Sequence, residues 1–265
     1  MLTVLSPAKD LDMSPMPAMK GTTLPGLLDA SEELVARLRT LPAKRIGALM
    51  DLSPKLAELN HARYQEWSPP FDASNAKQAA FAFNGEVYRG LKVATLSPAD
   101  LHFAQQHVRI LSGLYGVLRP LDLMQAYRLM MGTPFSPRRG VKDLYAFWGD
   151  RITENLNAAL AGTGSDVLVN LASNEYFRSV RPAKLKARVI TPVFKDRRPG
   201  GYKVVMVFAK HHRGAMCRWI IEHRLADPEK LKAYDAHGYR FRKDLSTGTE
   251  WVFTRETSIP LAGLR

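Results

Sequence analysis

Ile110-Leu111-Ser112-Gly113-Leu114-Tyr115-Gly116-Val117-Leu118-Arg119-Pro120-Leu121-Asp122 joins two apolar arms through a short turn bracketed by glycines. A helix is expected to enter it, starting at Ser97-Pro98-Ala99-Asp100 and running to about Leu111. Serine is a good N-cap, proline tolerates the first helical position, and an acid suits the first turn. With a second helix leaving, the segment reads as a helix-hairpin-helix-like element. Glycine lets the backbone come close to a neighbour where a Cβ would clash. Amides at such a turn and at the next helix start can then hold phosphate oxygens without reading bases. The same pattern fits a core connection between helices with ordinary glycine caps. The spacing here is Gly113-x-x-Gly116 rather than the usual Gly-x-Gly, and Pro120 limits how the second helix begins.

The elements on either side show no regular strand–helix period. Upstream, Leu2 to Leu5 reads as a short buried strand, residues 24–40 contain a helix, Ser53-Pro54 opens another, and Ala79 to Phe83 reads as a strand. Downstream, Lys142 to Ala161 reads as a helix and Val167 to Leu171 as a strand, with Ser173-Asn174-Glu175 capping a short helix. Residues 188–195 and 202–209 read as strands around Pro199-Gly200-Gly201, followed by a helix through Trp219, Ile220 and Leu225. Tyr239 to Phe253 resembles a hairpin. This order argues for a mixed α+β fold in one domain over residues 1–254, rather than a doubly wound sheet or barrel. Residues 255–265 read as a loose tail.

The chain has 265 residues and one cysteine, Cys217, which rules out a disulfide framework and any multi-cysteine metal centre. The N-terminal apolar run is too short for a signal peptide, and no stretch approaches the roughly 20 apolar residues of a membrane span. A cytoplasmic protein is expected, with no membrane partner, no metal and no cofactor. Nothing sets an oligomeric state, and a monomer suffices.

The net charge is +13. From Tyr176 to Trp219 twelve basic residues stand against one acid, Asp196, so nearly all of the surplus lies there. They are interleaved with apolar runs and therefore mounted on folded elements, which points to an anionic partner. Within this stretch, Ala209-Lys210-His211-His212-Arg213-Gly214 sets several cations near an expected helix start, where the macrodipole disfavours them unless an anion is bound. Side chains splayed into water are the alternative there. Ser6-Pro7-Ala8-Lys9-Asp10 follows the first strand, and Lys9 is a candidate nucleophile, phosphate contact or plain surface ion. The aromatic clusters at Tyr145 to Trp148 and Tyr176-Phe177 suit core packing better than base stacking.

Taken together, Ser6-Pro7-Ala8-Lys9, Phe103-Ala104-Gln105-Gln106-His107, Leu111 to Asp122, Phe147-Trp148-Gly149-Asp150, Asn170 to Ser173 with Glu175-Tyr176-Phe177, and Ala209-Lys210 with Arg213-Gly214 resemble the bacterial YaaA family. These are peroxide stress resistance proteins. The likeness runs in order from residue 1 to about 254. It implies a single mixed α/β domain of unusual fold, with a basic cleft and a helix-hairpin-helix-like element that binds DNA. It also implies a role in limiting oxidative, iron-dependent damage. Gly113, Tyr115, Gly116 and Arg119 would belong to that element. Asn174 stands where family members can carry an acid. On the chemistry of the residues, Arg178, Lys195, Arg197, Arg198, Lys210 and Arg213 join them as candidate DNA contacts, with duplex or distorted DNA as the partner and little sequence preference. The alternative is an enzyme acting on a DNA base or nucleotide, such as a repair glycosylase using Lys9. Whether the chain catalyses anything stays open at this level.

Overall fold

The computed structural model describes residues 1–16 and 21–256, and its centre is an eight-stranded sheet. The strands are β1 (Leu2–Leu5), β2 (Val108–Ser112), β3 (Gly116–Leu118), β4 (Val167–Leu171), β5 (Arg188–Arg198), β6 (Gly201–Lys203), β7 (Arg240–Phe241) and β8 (Glu250–Arg255). They lie side by side in the order β7-β8-β5-β4-β1-β2-β3, with β6 paired to β5 alone. Registers such as Thr3 with Val108, Val4 with Asn170, Leu168 with Val189 and Val193 with Val252 make β8, β5, β4, β1 and β2 parallel. Only β3, β6 and β7 run antiparallel to their neighbours.

The apolar runs explain this centre. Every residue of β1, β2 and β4 is buried, as expected of parallel strands covered on both faces. In β5 alternation appears instead: Ile190, Pro192, Phe194 and Asp196 are buried, while Val189, Thr191, Val193 and Lys195 are half-buried. The helices used below are α1 (Leu28–Arg39), α2 (Pro54–Glu66), α3 (Glu86–Leu91), α4 (Pro98–His107), α5 (Leu144–Trp148), α6 (Arg151–Gly162), α7 (Asn174–Phe177) and α8 (Met206–Glu222). Two begin as the sequence announces. Ser53 Oγ accepts the Leu56 amide, and Ser97 and Asp100 form a reciprocal capping box. A mixed α/β single domain is therefore the architecture, with a sheet more parallel than the sequence order suggests. Four of these helices separate β1 from β2, which hides the strand–helix period.

Several elements differ from expectation. The helix from Ser97 ends at His107, because Val108 is already extended (φ −121°, ψ 140°) and its strand joins β1. Ile110 pairs with Leu118, Leu111 with Val117 and Ser112 with Gly116. The segment is a β-hairpin, which corrects the helix-hairpin-helix reading. Long-range pairing to a buried central strand outweighs the local tendency of the helix to continue. Ala79–Ala82 forms a single helical turn rather than a strand. The expected helix over 142–161 is broken at Gly149 (φ +55°) into α5 and α6. The apolar run Val204 to Phe208 leads into α8 instead of a strand, with Phe208 and Ala209 buried. At the other end β8 extends through Arg255, which is buried, and residues 257–265 of the expected tail lie outside the described residues. No helix among the described residues is long and apolar enough to cross a membrane.

Candidate functional site

β1 sits between β2, which follows it in the chain, and β4, which comes later on its other side. In open parallel sheets, crevices form outside the carboxyl ends of strands at such a reversal. The loop after β1 is held there by named contacts. Ser6 Oγ accepts the Ser173 amide at 2.8 Å, and Tyr88 Oη donates to the Ser6 carbonyl at 3.0 Å. Asp10 and Leu11 pair with Asn84 and Phe83, and a Cβ on Gly85 would lie 2.9 Å from the Ala8 Cβ. On the β4 side, Glu175 Oε1 accepts the Gly132 amide at 2.9 Å, and its carbonyl accepts Tyr145 Oη at 2.9 Å. Ser6 and Ser173 are thus brought together across 167 residues.

β5 outruns β4. Its pairing with β4 ends at Ile190, whereas β6 pairs with residues 196–198. The β5–β6 hairpin therefore projects past the carboxyl edge of the central strands and carries Arg197, Arg198 and Lys203, all exposed. Arg197 and Arg242 both stack on Tyr202, at 5.2 Å and 5.4 Å from its ring centre. Arg242 is fully committed, with Nε and Nη2 on the two Asp244 oxygens at 2.9 and 2.7 Å and Nη1 on Tyr202 Oη at 3.3 Å, so Arg197 is the guanidinium of this cluster that can meet an anion. Lys195 lies on the half-buried face of β5, two residues from Arg197 and therefore on the same side. Arg178, exposed just after α7, sits 4.9 Å over the Tyr145 ring. Lys210 is an exposed residue of the second turn of α8. Topology thus places Lys9, Arg178, Arg197, Arg198 and Lys210 toward one edge of the sheet, because each follows or projects past a carboxyl strand end or starts the helix that returns from there.

The other expected contacts lie elsewhere. Tyr115 is fully buried; its hydroxyl accepts from Trp67 Nε1 at 2.9 Å and from the Gln125 amide at 3.0 Å. A Cβ on Gly113 would fall 2.2 Å from the Leu129 carbonyl oxygen, and one on Gly116 (φ +67°) 2.8 Å from the Trp148 ring. These glycines serve close packing inside the protein, and neither they nor Tyr115 reach a surface where DNA could lie. Arg119 is half-exposed after β3, toward the amino ends of the parallel strands, and is held by Asp122 Oδ1 at 3.0 Å. Arg213 is half-buried within α8, and burial lowers its pKa. Lys9 is exposed on the loop after β1. Cys217 is buried, and burial pushes its thiol up to about 12, which makes it inert. Phe147, Trp148 and Tyr176 are core residues.

Sequence reading missed a histidine cluster beside α8. His212 is fully buried, is hydrogen-bonded through Nδ1 to Tyr234 Oη at 2.8 Å, and lies 5.1 Å from His237 by ring centres. Burial first, then His237, His211 and Arg255, push its pKa down to about 2. His211 and His237 are also lowered, chiefly by burial; Glu86 opposes the shift at His211, and Arg255 and Lys92 add to it at His237. In the unfolded chain these rings titrate near 6.5. A histidine with a lowered native pKa takes up protons in the unfolded state first, so stability falls as pH drops below about 6.5 and recovers above it. Thermal unfolding followed from pH 8 to pH 4 should therefore show a falling midpoint below about 6.5, with a slope of about 1.4 kcal/mol per pH unit for each excess proton taken up. His212→Phe should flatten that slope.

The sequence was compared with known proteins. A family model described as "Peroxide stress protein YaaA" matches residues 1–245. "UPF0246 protein RSc2009" of Ralstonia nicotianae is 55% identical over 258 residues, covering 97% of this chain and 100% of that protein. A UPF0246 protein of Paraburkholderia xenovorans is 55% identical over 260 residues, with 97% and 100% covered. One from Cupriavidus metallidurans is 55% identical over 258 residues, with 96% and 98% covered. An ordered likeness along nearly the whole length, joined to a matching family model, has one meaning: the chain belongs to the YaaA family of peroxide stress proteins.

Proposed function

We propose that this peroxide stress protein acts in the cytoplasm by binding DNA, duplex or distorted and with little sequence preference, and so limits oxidative, iron-dependent damage to it. The observation that carries the reading is the projecting β5–β6 hairpin, with exposed Arg197, Arg198 and Lys203 and the Arg197–Tyr202–Arg242 stack. Arg197, held over the Tyr202 ring, suits phosphate oxygens, while Arg242 on the same ring is paired with Asp244 and serves to fix the ring. Arg178 and Lys210 extend the basic surface along the same sheet edge. Lys195 backs Arg197 from the same face of β5. None of these contacts reads a base, which accounts for the low sequence preference.

Fluorescence anisotropy with a labelled duplex tests this. Affinity should fall steeply between low and physiological salt, because each neutralised phosphate releases counterion. Arg197→Ala/Arg198→Ala should weaken binding at least about tenfold and reduce the log–log salt slope by roughly two, one for each phosphate contact removed. Absence of binding at low salt, or a double variant indistinguishable from wild type, overturns the reading.

A further inference from the structure

Arg119 does not stand alone at the amino edge of the sheet. It lines a groove of about 760 Å³ between α4, β2, β3 and α6, together with Arg109. That volume lies within the usual range for small-molecule sites. Both guanidiniums are anchored on one side only. Arg109, at 9% exposure, gives Nη1 to the carbonyls of Gln105, Gln106 and Val108 at 3.1, 3.2 and 2.8 Å. Its Nε and Nη2 make no hydrogen bond to the protein among the described residues. Arg119 gives Nε to Asp122 and Nη2 to the Leu24 carbonyl at 3.1 Å, and its Nη1 is unused in the same sense.

The charge there is only half compensated: Arg119 pairs with Asp122 Oδ1 at 3.0 Å, which leaves a surplus of one positive charge on the groove. Asp122 is the single acid on the groove, and its two oxygens are already committed to the Arg119 side chain and amide and to Thr23 Oγ1. The two cations also sense each other: burial, then the Arg119 charge, push Arg109 down to about 10. An anion bridging them would relieve that repulsion and engage the idle donors. Ala158 and Gly162 on α6 leave the opposite wall without bulk, and Asn155 offers an amide beside them.

We propose that this groove is a second, separate site, which binds a small molecule bearing a terminal phosphate or diphosphate between Arg109 and Arg119. The concave shape and the single pair of guanidiniums fit a compact oxyanion rather than a nucleic-acid duplex. The site lies at the opposite sheet edge from the β5–β6 hairpin and does not depend on the DNA reading.

Isothermal titration of the full chain with inorganic pyrophosphate tests it. Saturable binding is expected with a Kd below about 1 mM. Ala158 is an exposed helix position, so Ala158→Glu should leave the fold intact while setting a carboxylate into the groove. It should weaken pyrophosphate at least about tenfold, as should Arg119→Gln, with Arg119→Lys retaining part of the affinity. Duplex DNA affinity should be unchanged in Ala158→Glu. No saturable binding up to about 10 mM, equal binding by wild type and Ala158→Glu, or loss caused instead by Arg198→Glu would each overturn the proposal.

Discussion

Gly214→Ala should lower the thermal midpoint by roughly 6–12 °C, the largest effect expected of any single methyl group in this chain. At Gly214 a Cβ would stand 1.7 Å from the Val87 carbonyl oxygen, and at Gly90 2.0 Å from the His211 carbonyl oxygen. The two glycines face each other across the contact of α3 with α8, so the helix backbones meet with almost no side chain between them. Atoms that contact backbone cannot be displaced by a change of rotamer. The helices would have to separate by more than an ångström, and the neighbouring contacts would open with them: Glu86 with His211 at 3.7 Å and Arg218 with the Lys92 carbonyl at 3.0 Å. Overpacking of a tight site costs about 1–3 kcal/mol and occasionally more, and a backbone contact belongs at the upper end. Differential scanning calorimetry would measure the shift. A midpoint within 2 °C of wild type, about 1 kcal/mol or less on this scale, would show that the helices can part easily. Gly162→Ala on α6, where a Cβ would meet nothing, is the matching control.

Arg255→Met should destabilise by about 3–5 kcal/mol, because it removes the charge partner of a buried carboxylate while keeping most of the apolar volume. Arg255 and Asp196 are both buried, with Nε at 2.5 Å from Oδ1, and Tyr239 Oη donates to the second carboxylate oxygen at 2.9 Å. The guanidinium lies between the rings of Phe208 and Tyr239, at 4.6 and 4.8 Å. The pair ties β8 to β5 at the base of the projecting hairpin. Replacing both partners, Asp196→Asn with Arg255→Met, should cost less than the single change, since no uncompensated charge remains. A urea denaturation cycle over the four proteins would give the coupling directly. A double variant no more stable than Arg255→Met would contradict this account.

Helix starts were legible at Ser53 and Ser97, because an N-cap acts within its own turn and needs no distant residue. The strand at Val167 to Leu171 was legible because a short, almost wholly apolar run, broken only by Asn170, suits a buried strand. Ile110 to Asp122 was not, since its arms owe their extended form to β1, a hundred residues earlier. Val204 to Phe208 failed for a related reason: a short apolar run suits a strand or a helix start, and the turn at Gly200 alone does not choose. For the site, the surplus of cations between Tyr176 and Trp219 was visible as a count. Its division between exposed residues on the hairpin and a half-buried Arg213 was not, because burial depends on partners remote in sequence. Nothing local marked Arg109, a single arginine inside an apolar strand.

By itself, then, the sequence determined the mixed α/β class, the family and the presence of concentrated positive charge, all of which rest on composition, local caps and ordered motifs. Tertiary structure decided which of those residues face solvent. It turned Gly113, Tyr115 and Gly116 into core and set Arg119 beside Arg109 at one sheet edge. It carried Arg197 and Arg198 past the other. The physical reason is that parallel strands pair across long insertions, so the edge at which a side chain emerges is set by register with distant strands and by no property of its own neighbours.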